Sequence, residues 1–109
     1  MTYDLIIQGG TVVDPAQSIH GTMDVAIQDG LIAELAPSLA ASQGTKTIDA
    51  RGQLVVPGLI DLHVHVYHRH VPISLEPDSL CAAGGVTTML DAGSAGSYNF
   101  DGFRHDILE

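Results

Sequence analysis

The sequence predicts an α/β protein with a β-rich N-terminal module, and three features support this fold class. Short apolar runs separated by glycine and proline turn signals fill residues 2–56. A nearly continuous apolar run, typical of a strand buried on both faces, follows at 59–66. A helix-opening segment at 76–78 and a further apolar run at 86–90 complete the order strand, helix, strand. We therefore expect a small antiparallel sheet followed by a βαβ unit.

Turn signals divide the predicted N-terminal sheet into five or six antiparallel strands. A Gly-Gly pair at 9–10 and an Asp-Gly pair at 29–30 supply the positive φ that two-residue hairpins need. Pro37 ends one strand and precedes a polar loop at 38–46, and a further turn is expected at 51–52. The predicted strands are 4–8, 11–13, 24–28, 31–35, 47–50 and 53–56.

Helix signals follow the long apolar run. The Pro-Asp pair at 77–78 suits the first turn of a helix, because proline tolerates that position and the aspartate complements the helix dipole. Two glycines at 84–85 end this helix. A second helix, capped by Asp101, is expected to place Phe103 and Ile107 on one face, since they are four residues apart.

The last predicted helix reaches residue 109 without a stop signal. A two-stranded parallel sheet also leaves its edges and faces uncovered. We therefore expect the chain to be part of a longer protein.

Composition excludes several functions. The 109 residues are 45% hydrophobic, which is enough for a packed core, and 13 acidic residues against 4 basic ones give a net charge of -9. This balance disfavours nucleic acids and anionic membranes as partners. The sequence has no secretory signal and no membrane-spanning run, and its single cysteine, Cys81, excludes an internal disulfide. A cytoplasmic protein is expected.

Three polar residues interrupt the apolar run at 59–66. Asp61, His63 and His65 are two residues apart, so a regular strand places them on one face. Two imidazoles one pleat repeat apart can converge on a cation, and histidine is a common ligand of Zn²⁺. The alternative is a pair of hydrogen-bonded histidines in a polar crevice.

The segment PGLIDLHVHV at 57–66, directly after a β-rich module, resembles the amidohydrolase superfamily. The resemblance implies that His63 and His65 end strand 1 of a TIM-type (β/α)₈ barrel and hold a divalent metal, most simply zinc, as one or two ions. Active sites of such barrels lie at the carboxyl ends of the strands. Residues 1–56 then form part of a composite β-sandwich, and residues 57–109 form the start of the barrel.

The segment GVTTMLDAGSAG at 85–96 is similar to strand 2 and its loop in the deacetylase and dihydroorotase-like branch of that superfamily. Members of this branch cleave acyl groups from amides or esters. Asp91 falls at the carboxyl end of the strand and is a candidate substrate-binding residue. Its plainer role is to hydrogen-bond the Gly/Ser loop that follows.

One departure from the family pattern lies two residues after the second histidine of the motif. Dihydroorotases carry His-x-His-x-Arg, where the arginine binds a substrate carboxylate, but Tyr67 stands here and the nearest arginine is Arg69. Arg69 is a second candidate for substrate binding. His68 and His70 either line the pocket or are solvated loop residues.

The remaining candidates have plainer roles: His20 and His105 as surface residues, Cys81 as a small buried hydrophobe, and glycines 93–96 as a loop without a phosphate-binding lysine.

The resemblance implies hydrolysis of a C–N or acyl-ester bond in a small substrate by metal-activated water. A dihydroorotase or hydantoinase-type cyclic amidase is the alternative enzyme. Further ligands and the catalytic aspartate are expected outside these 109 residues, so the catalytic residues are unknown and the chain alone is expected to be inactive. A truncated module that binds a partner or a metal weakly is the non-enzymatic alternative. Assembly into a homo-oligomer is compatible with either function.

Overall fold

The computed structural model of the protein describes residues 2–109, so residue 1 of the predicted first domain lies outside it. The chain divides into two compact units, Met1–Pro57 and Gly58–Glu109. Of the described helices, none is long and apolar enough to cross a membrane.

The first unit is a five-stranded mixed sheet. Strands β1, β2 and β3 follow one another antiparallel, whereas β4 and β5 both lie parallel to β1 on its other side. A small core of Ile6, Ala26 and Leu39 packs beneath the sheet. The strands are β1 (Tyr3–Asp14), β2 (Ile19–Gln28), β3 (Leu31–Ala36), β4 (Gly44–Asp49) and β5 (Leu54–Val55), with 3₁₀ turns at Pro15–Gln17 and Ala41–Gln43.

The hairpin predicted at 9–10 is wrong, because β1 runs through both glycines without turning. Ile7 lies opposite Val25 and Gly10 lies opposite Met23, so two residues of β1 face one residue of β2. This is a β-bulge, in which Gly9 alone takes a positive φ of 70°. A two-residue hairpin with a type I′ turn needs a positive φ at both central residues, and here only one residue has it.

The turn predicted at 29–30 is confirmed, with φ values of 52° at Asp29 and 76° at Gly30. The all-antiparallel sheet is wrong. The turn at 51–52 exists, but it joins two strands that both run beside β1, with β4 pairing along Tyr3–Gln8 and β5 along Thr11–Val12. The polar loop predicted at 38–46 is shorter, since β4 already begins at Gly44.

The second unit confirms the order strand, helix, strand. Its parallel strands β6 and β7 are joined through helix α1, which begins after Glu76 and ends just before Gly85. The Glu76 carboxylate accepts hydrogen bonds from the backbone N–H groups of Asp78 and Ser79, and Gly85 has a φ of 65°. The elements are β6 (Leu59–Val64), α1 (Pro77–Gly84), β7 (Val86–Asp91), α2 (Phe100–Phe103) and a π-helical turn at Arg104–Leu108.

Strand β6 differs from its prediction in length and burial. It ends at residue 64 instead of 66. Side chains on both of its faces are exposed, with the neighbouring residues Leu59 at 53% and Ile60 at 63% of their full accessibility. The apolar run predicted burial on both faces, but the two short helices of the described residues cover only part of a two-stranded sheet.

The last helix begins earlier than predicted. It begins at Phe100 after Asn99, so Asp101 lies within its first turn and is not its cap. The side-chain oxygen of Asn99 accepts a hydrogen bond from the Gly96 N–H, which closes a turn just before the helix. The shared face of Phe103 and Ile107 is confirmed, because both belong to the core cluster of this unit with Val66 and Tyr67.

Gly58 lies where the chain enters β6 and has no room for a side chain. A Cβ atom there would overlap the Thr87 side chain and lie 2.7 Å from its Cβ, a clash that no rotamer of Thr87 relieves. We expect Gly58→Ala to lower the free energy of unfolding of this unit by about 1–3 kcal/mol. Gly96→Ala is the matched control, since a Cβ at Gly96 meets nothing within 4 Å. Denaturant unfolding with equal midpoints for the two variants would contradict this close approach.

Candidate functional site

The two histidines of the His-x-His motif lie side by side at the carboxyl end of β6. Their ring centroids are 5.7 Å apart and the rings are perpendicular. His63 belongs to the strand and is exposed, whereas His65 follows the strand and is half-buried. The register with β7 shifts between Asp61 and Val64, so the strict alternation assumed from the sequence is interrupted, but the rings remain adjacent.

Asp61, the third polar residue of the motif, hydrogen-bonds the backbone of its own strand. Its carboxylate accepts a hydrogen bond of 3.0 Å from the backbone N–H of His63. This contact fixes the backbone at the irregular part of β6, where a regular ladder hydrogen bond is interrupted. Asp61 therefore supports the backbone that carries His63.

The hydroxyl of Ser94 contacts the imidazole of His65, and the hydroxyl of Ser74 donates to that of Ser94. The Nδ1 of His65 lies 2.8 Å from Ser94 Oγ, and Ser74 Oγ lies 3.2 Å from the same oxygen. Ser94 is buried, with 7% of its surface accessible. The backbone is held as well, because the Leu75 N–H donates to the His65 carbonyl at 2.9 Å. With Nδ1 engaged, Nε2 is the ring nitrogen that can meet a ligand.

Asp91 organises the Gly/Ser loop (residues 92–97) that delivers Ser94. Its Oδ1 accepts hydrogen bonds from the backbone N–H groups of Gly93, Ser94 and Ala95 at 3.0, 2.6 and 3.1 Å. Its Oδ2 accepts one from the Val66 N–H at 3.0 Å. The loop-bonding role predicted for Asp91 is thus seen directly, while its role in substrate binding stays a prediction.

The electrostatics of Asp91 follow from these contacts. Burial by itself raises the pKa of the carboxyl. The hydrogen bonds from Val66, Ala95, Ser94 and Gly93 favour the charged form more strongly, and the pKa falls to about 2. Asp91 is therefore an anion at neutral pH and does not serve as a general acid there.

The histidine pair supplies two ligands. Among residues 2–109, no group of three or more histidine, cysteine, aspartate or glutamate side chains is placed to hold one metal ion. A catalytic zinc site takes about three protein ligands and one water. The two imidazoles by themselves therefore supply fewer ligands than such a site needs.

Arg69 lies in a separate place from the histidine pair. It has a φ of 67° and lines an open cleft of about 520 Å³ with His68, His70, Glu76, Asp78 and Asp106, a cleft whose lining includes neither His63 nor His65. The structure does not bring the predicted carboxylate-binding residue together with the predicted metal ligands. Its role in substrate binding stays a prediction.

Tyr67 and His70 are structural in this unit. Tyr67 is buried at 4% accessibility, packs edge-on against Phe103 and is stacked on His70 at a centroid distance of 4.4 Å. His70 Nε2 lies 3.0 Å from a carboxylate oxygen of Asp106. Of the two alternatives predicted for His70, each fits in part: the residue lines the cleft beside Arg69, and its side chain is partly exposed but anchored.

Ser74 and Ser94 are site residues that no sequence pattern indicates. A serine in a loop is commonplace, and nothing in the position of Ser94 points to a histidine 29 residues earlier. The other assigned roles hold in part: His20 and His105 are exposed, and Cys81 is a free thiol that is partly and not fully buried.

Comparison with known proteins identifies relatives of the chain, although no family model matches it. It is 49% identical to the deacetylase Atu3266 of Agrobacterium fabrum over 81 residues, which are 74% of this chain and 20% of the relative. The crystal structure of a dihydroorotase superposes with a TM-score of 0.80 at 39% identity, over 96% of this chain and 28% of that one.

A third similar structure contains a metal. The N-acyl-D-glutamate deacylase from Bordetella bronchiseptica, solved with zinc and a phosphonate inhibitor, superposes with a TM-score of 0.65 at 31% identity. The superposition covers 82% of this chain and 18% of the deacylase. The chain spans about a fifth of the length of the curated relatives it matches.

Proposed function

We propose that this chain, which belongs to the amidohydrolase superfamily and corresponds to the N-terminal region of its members, carries the first two metal ligands of a hydrolase. The observation that carries the proposal is the adjacent pair of imidazoles at the carboxyl end of β6, with His65 held by Ser94. In this proposal the β6–α1–β7 unit begins a (β/α)₈ barrel, whose active site lies at that end of the strands.

The donor atoms suit a divalent metal such as zinc. His65 offers Nε2 because Nδ1 is engaged, and the exposed ring of His63 lies beside it. One or two metal ions held there would supply polarisation of the scissile carbonyl and activation of water. The residues of this chain hold two imidazoles next to each other. The remaining ligands and the proton-transferring group belong to other parts of the enzyme.

The substrate we propose is a small N-acyl or O-acyl compound. The position that carries arginine in dihydroorotases is Tyr67 here, and Tyr67 packs in the core against Phe103. A buried tyrosine cannot replace an arginine that binds a carboxylate through two hydrogen bonds. This difference favours a deacetylase over a cyclic amidase. The second candidate, a dihydroorotase, draws its support from the TM-score of 0.80 to a dihydroorotase structure.

The function is tested with the full-length protein that contains these residues. We expect zinc-dependent release of acetate from N-acetyl amino acids or acetyl esters, with loss of activity on chelation and recovery on adding Zn²⁺. Dihydroorotate and hydantoin are the matched comparison substrates. Preferred hydrolysis of dihydroorotate would replace the deacetylase proposal with the second candidate, and activity that survives complete metal removal would contradict the metal-dependent mechanism.

A further inference from the structure

The hydroxyl of Ser94 lies within hydrogen-bond distance of His65 Nδ1. The Nδ1 to Oγ distance is 2.8 Å, and Ser94 is 7% accessible, so water competes poorly for this contact. Ser74 Oγ lies 3.2 Å from the same hydroxyl. We propose that Ser94, supported by Ser74, is a positioning residue that orients His65 for metal binding. The inference rests on the proposed function of His65 as a metal ligand.

Ser94 is itself held on two sides. Its backbone N–H donates to Asp91 Oδ1 at 2.6 Å, and its carbonyl accepts a hydrogen bond from the Asn99 side chain at 3.2 Å. The loop thus presents the hydroxyl from a fixed backbone. A fixed partner lets a hydrogen bond select one orientation of the imidazole ring, because a mobile partner would follow the ring.

The contact is compatible with the tautomer that metal binding requires. A neutral histidine binds metal through the nitrogen that carries no proton, so binding through Nε2 requires the proton on Nδ1. In the metal-binding tautomer, Nδ1–H donates to Ser94 Oγ, whose lone pairs accept it and whose own hydrogen rotates to suit. Partners of this kind fix ring orientation and raise ligand basicity, and removing them costs about 10–100-fold in metal affinity.

His63 provides a contrast within the same motif. Its ring is exposed and contacts the His65 ring edge-on, while its backbone N–H is the group bonded to Asp61. Within the part of the chain that the structure describes, no side chain hydrogen-bonds the His63 ring. The two ligands therefore differ: His65 is oriented before a metal arrives, and His63 is free to adjust to it.

Metal affinity of the full-length protein tests the proposal. Zn²⁺ affinity is measured by competition with a chromophoric chelator for the wild type, Ser94→Ala and Ser97→Ala. Ser97 lies in the same loop and is exposed, which makes it the matched control. We expect affinity to fall about 10–100-fold for Ser94→Ala and to stay unchanged for Ser97→Ala. Ser94→Thr keeps the hydroxyl and should retain most of the affinity. Equal affinity for the wild type and Ser94→Ala would overturn the proposal.

The ring nitrogens of His65 give a second readout that does not depend on zinc. In metal-free protein labelled with ¹⁵N-histidine, the NMR signal of His65 Nδ1 should shift between the wild type and Ser94→Ala, because its hydrogen bond is lost, and should not shift in Ser97→Ala. Identical signals in the wild type and Ser94→Ala would overturn the proposal. Should Ser94→Ala fail to fold, Ser74→Ala probes the same hydroxyl pair and should shift the signal more weakly. Wild-type protein that binds no zinc would sink the proposed function, whereas the NMR measurement still decides the role of Ser94.

Discussion

Replacing His63 and His65 together by alanine is expected to remove the bound metal from the full-length protein and to abolish its hydrolase activity. The two imidazoles are about half of a four-ligand site, and water in their place does not restore affinity. Loss of the metal removes several kcal/mol of transition-state stabilisation, so activity should fall at least about 1,000-fold. Metal content is measured by elemental analysis of the purified variant and activity by acetate release.

The variant should remain folded, because the ring of His63 is exposed and that of His65 contacts mainly a hydroxyl. Circular dichroism and the thermal midpoint separate loss of metal from loss of structure. His20→Ala is the control, since His20 is an exposed histidine in the other unit and should change neither metal content nor activity. A folded double variant with full metal occupancy would show that other residues hold the metal.

The local elements of this chain were predictable because their signals are local. A type I′ turn needs positive φ at both central residues, and the Asp-Gly pair at 29–30 tolerates it, so the pair favours a tight hairpin. Helix α1 carries its start and stop signals within the few residues at each end, from Glu76 to Gly85. In both cases neighbouring residues alone determine the backbone conformation.

Strand direction was not predictable from the same kind of signal. Alternation of apolar and polar residues shows that β4 and β5 are strands, but it is the same for parallel and antiparallel pairing. The partner of both strands is β1, about forty residues earlier in the chain for each pair. The hairpin predicted at the two glycines 9–10 was wrong for a related reason. A glycine with positive φ occurs in β-bulges as well as in turns.

The two histidines of the candidate site were predictable from the sequence, but the residue that hydrogen-bonds His65 was not. Two histidines two residues apart on a strand are visible in the sequence, and their rings are adjacent in the structure. The partner of His65 is Ser94, which is 29 residues away, and serine is too common in loops to indicate a contact. Tyr67 stands at the position where dihydroorotases carry an arginine, but its ring packs in the core with Phe103, a contact that the sequence does not indicate.

Asp91 ties the end of β7 to the end of β6 and to the Gly/Ser loop, so its removal should have a large effect on stability. Asp91→Ala leaves four backbone N–H groups, those of Val66, Gly93, Ser94 and Ala95, without their acceptor. Hydrogen bonds to charged groups contribute about 1.5–3 kcal/mol each and are not additive, so we expect a loss of about 3 kcal/mol at neutral pH. Denaturant unfolding measures the loss, and hydrogen exchange of the loop amides locates it.

The pH dependence of that loss distinguishes the charged carboxylate from a merely space-filling side chain. The pKa of Asp91 is lowered to about 2, against about 3.9 in an unfolded chain, so its stabilisation is fully present above about pH 4 and is lost as the pH falls through about 2. The stability difference between wild type and Asp91→Ala should be constant from pH 7 to pH 5 and shrink below pH 4. Asp91→Asn should recover part of the stability, because its amide oxygen still accepts from the loop. Asp101→Ala removes an exposed aspartate from α2 and should cost little at any pH. A stability difference that stays constant down to pH 2 would mean that the ionised carboxylate is not what holds the loop.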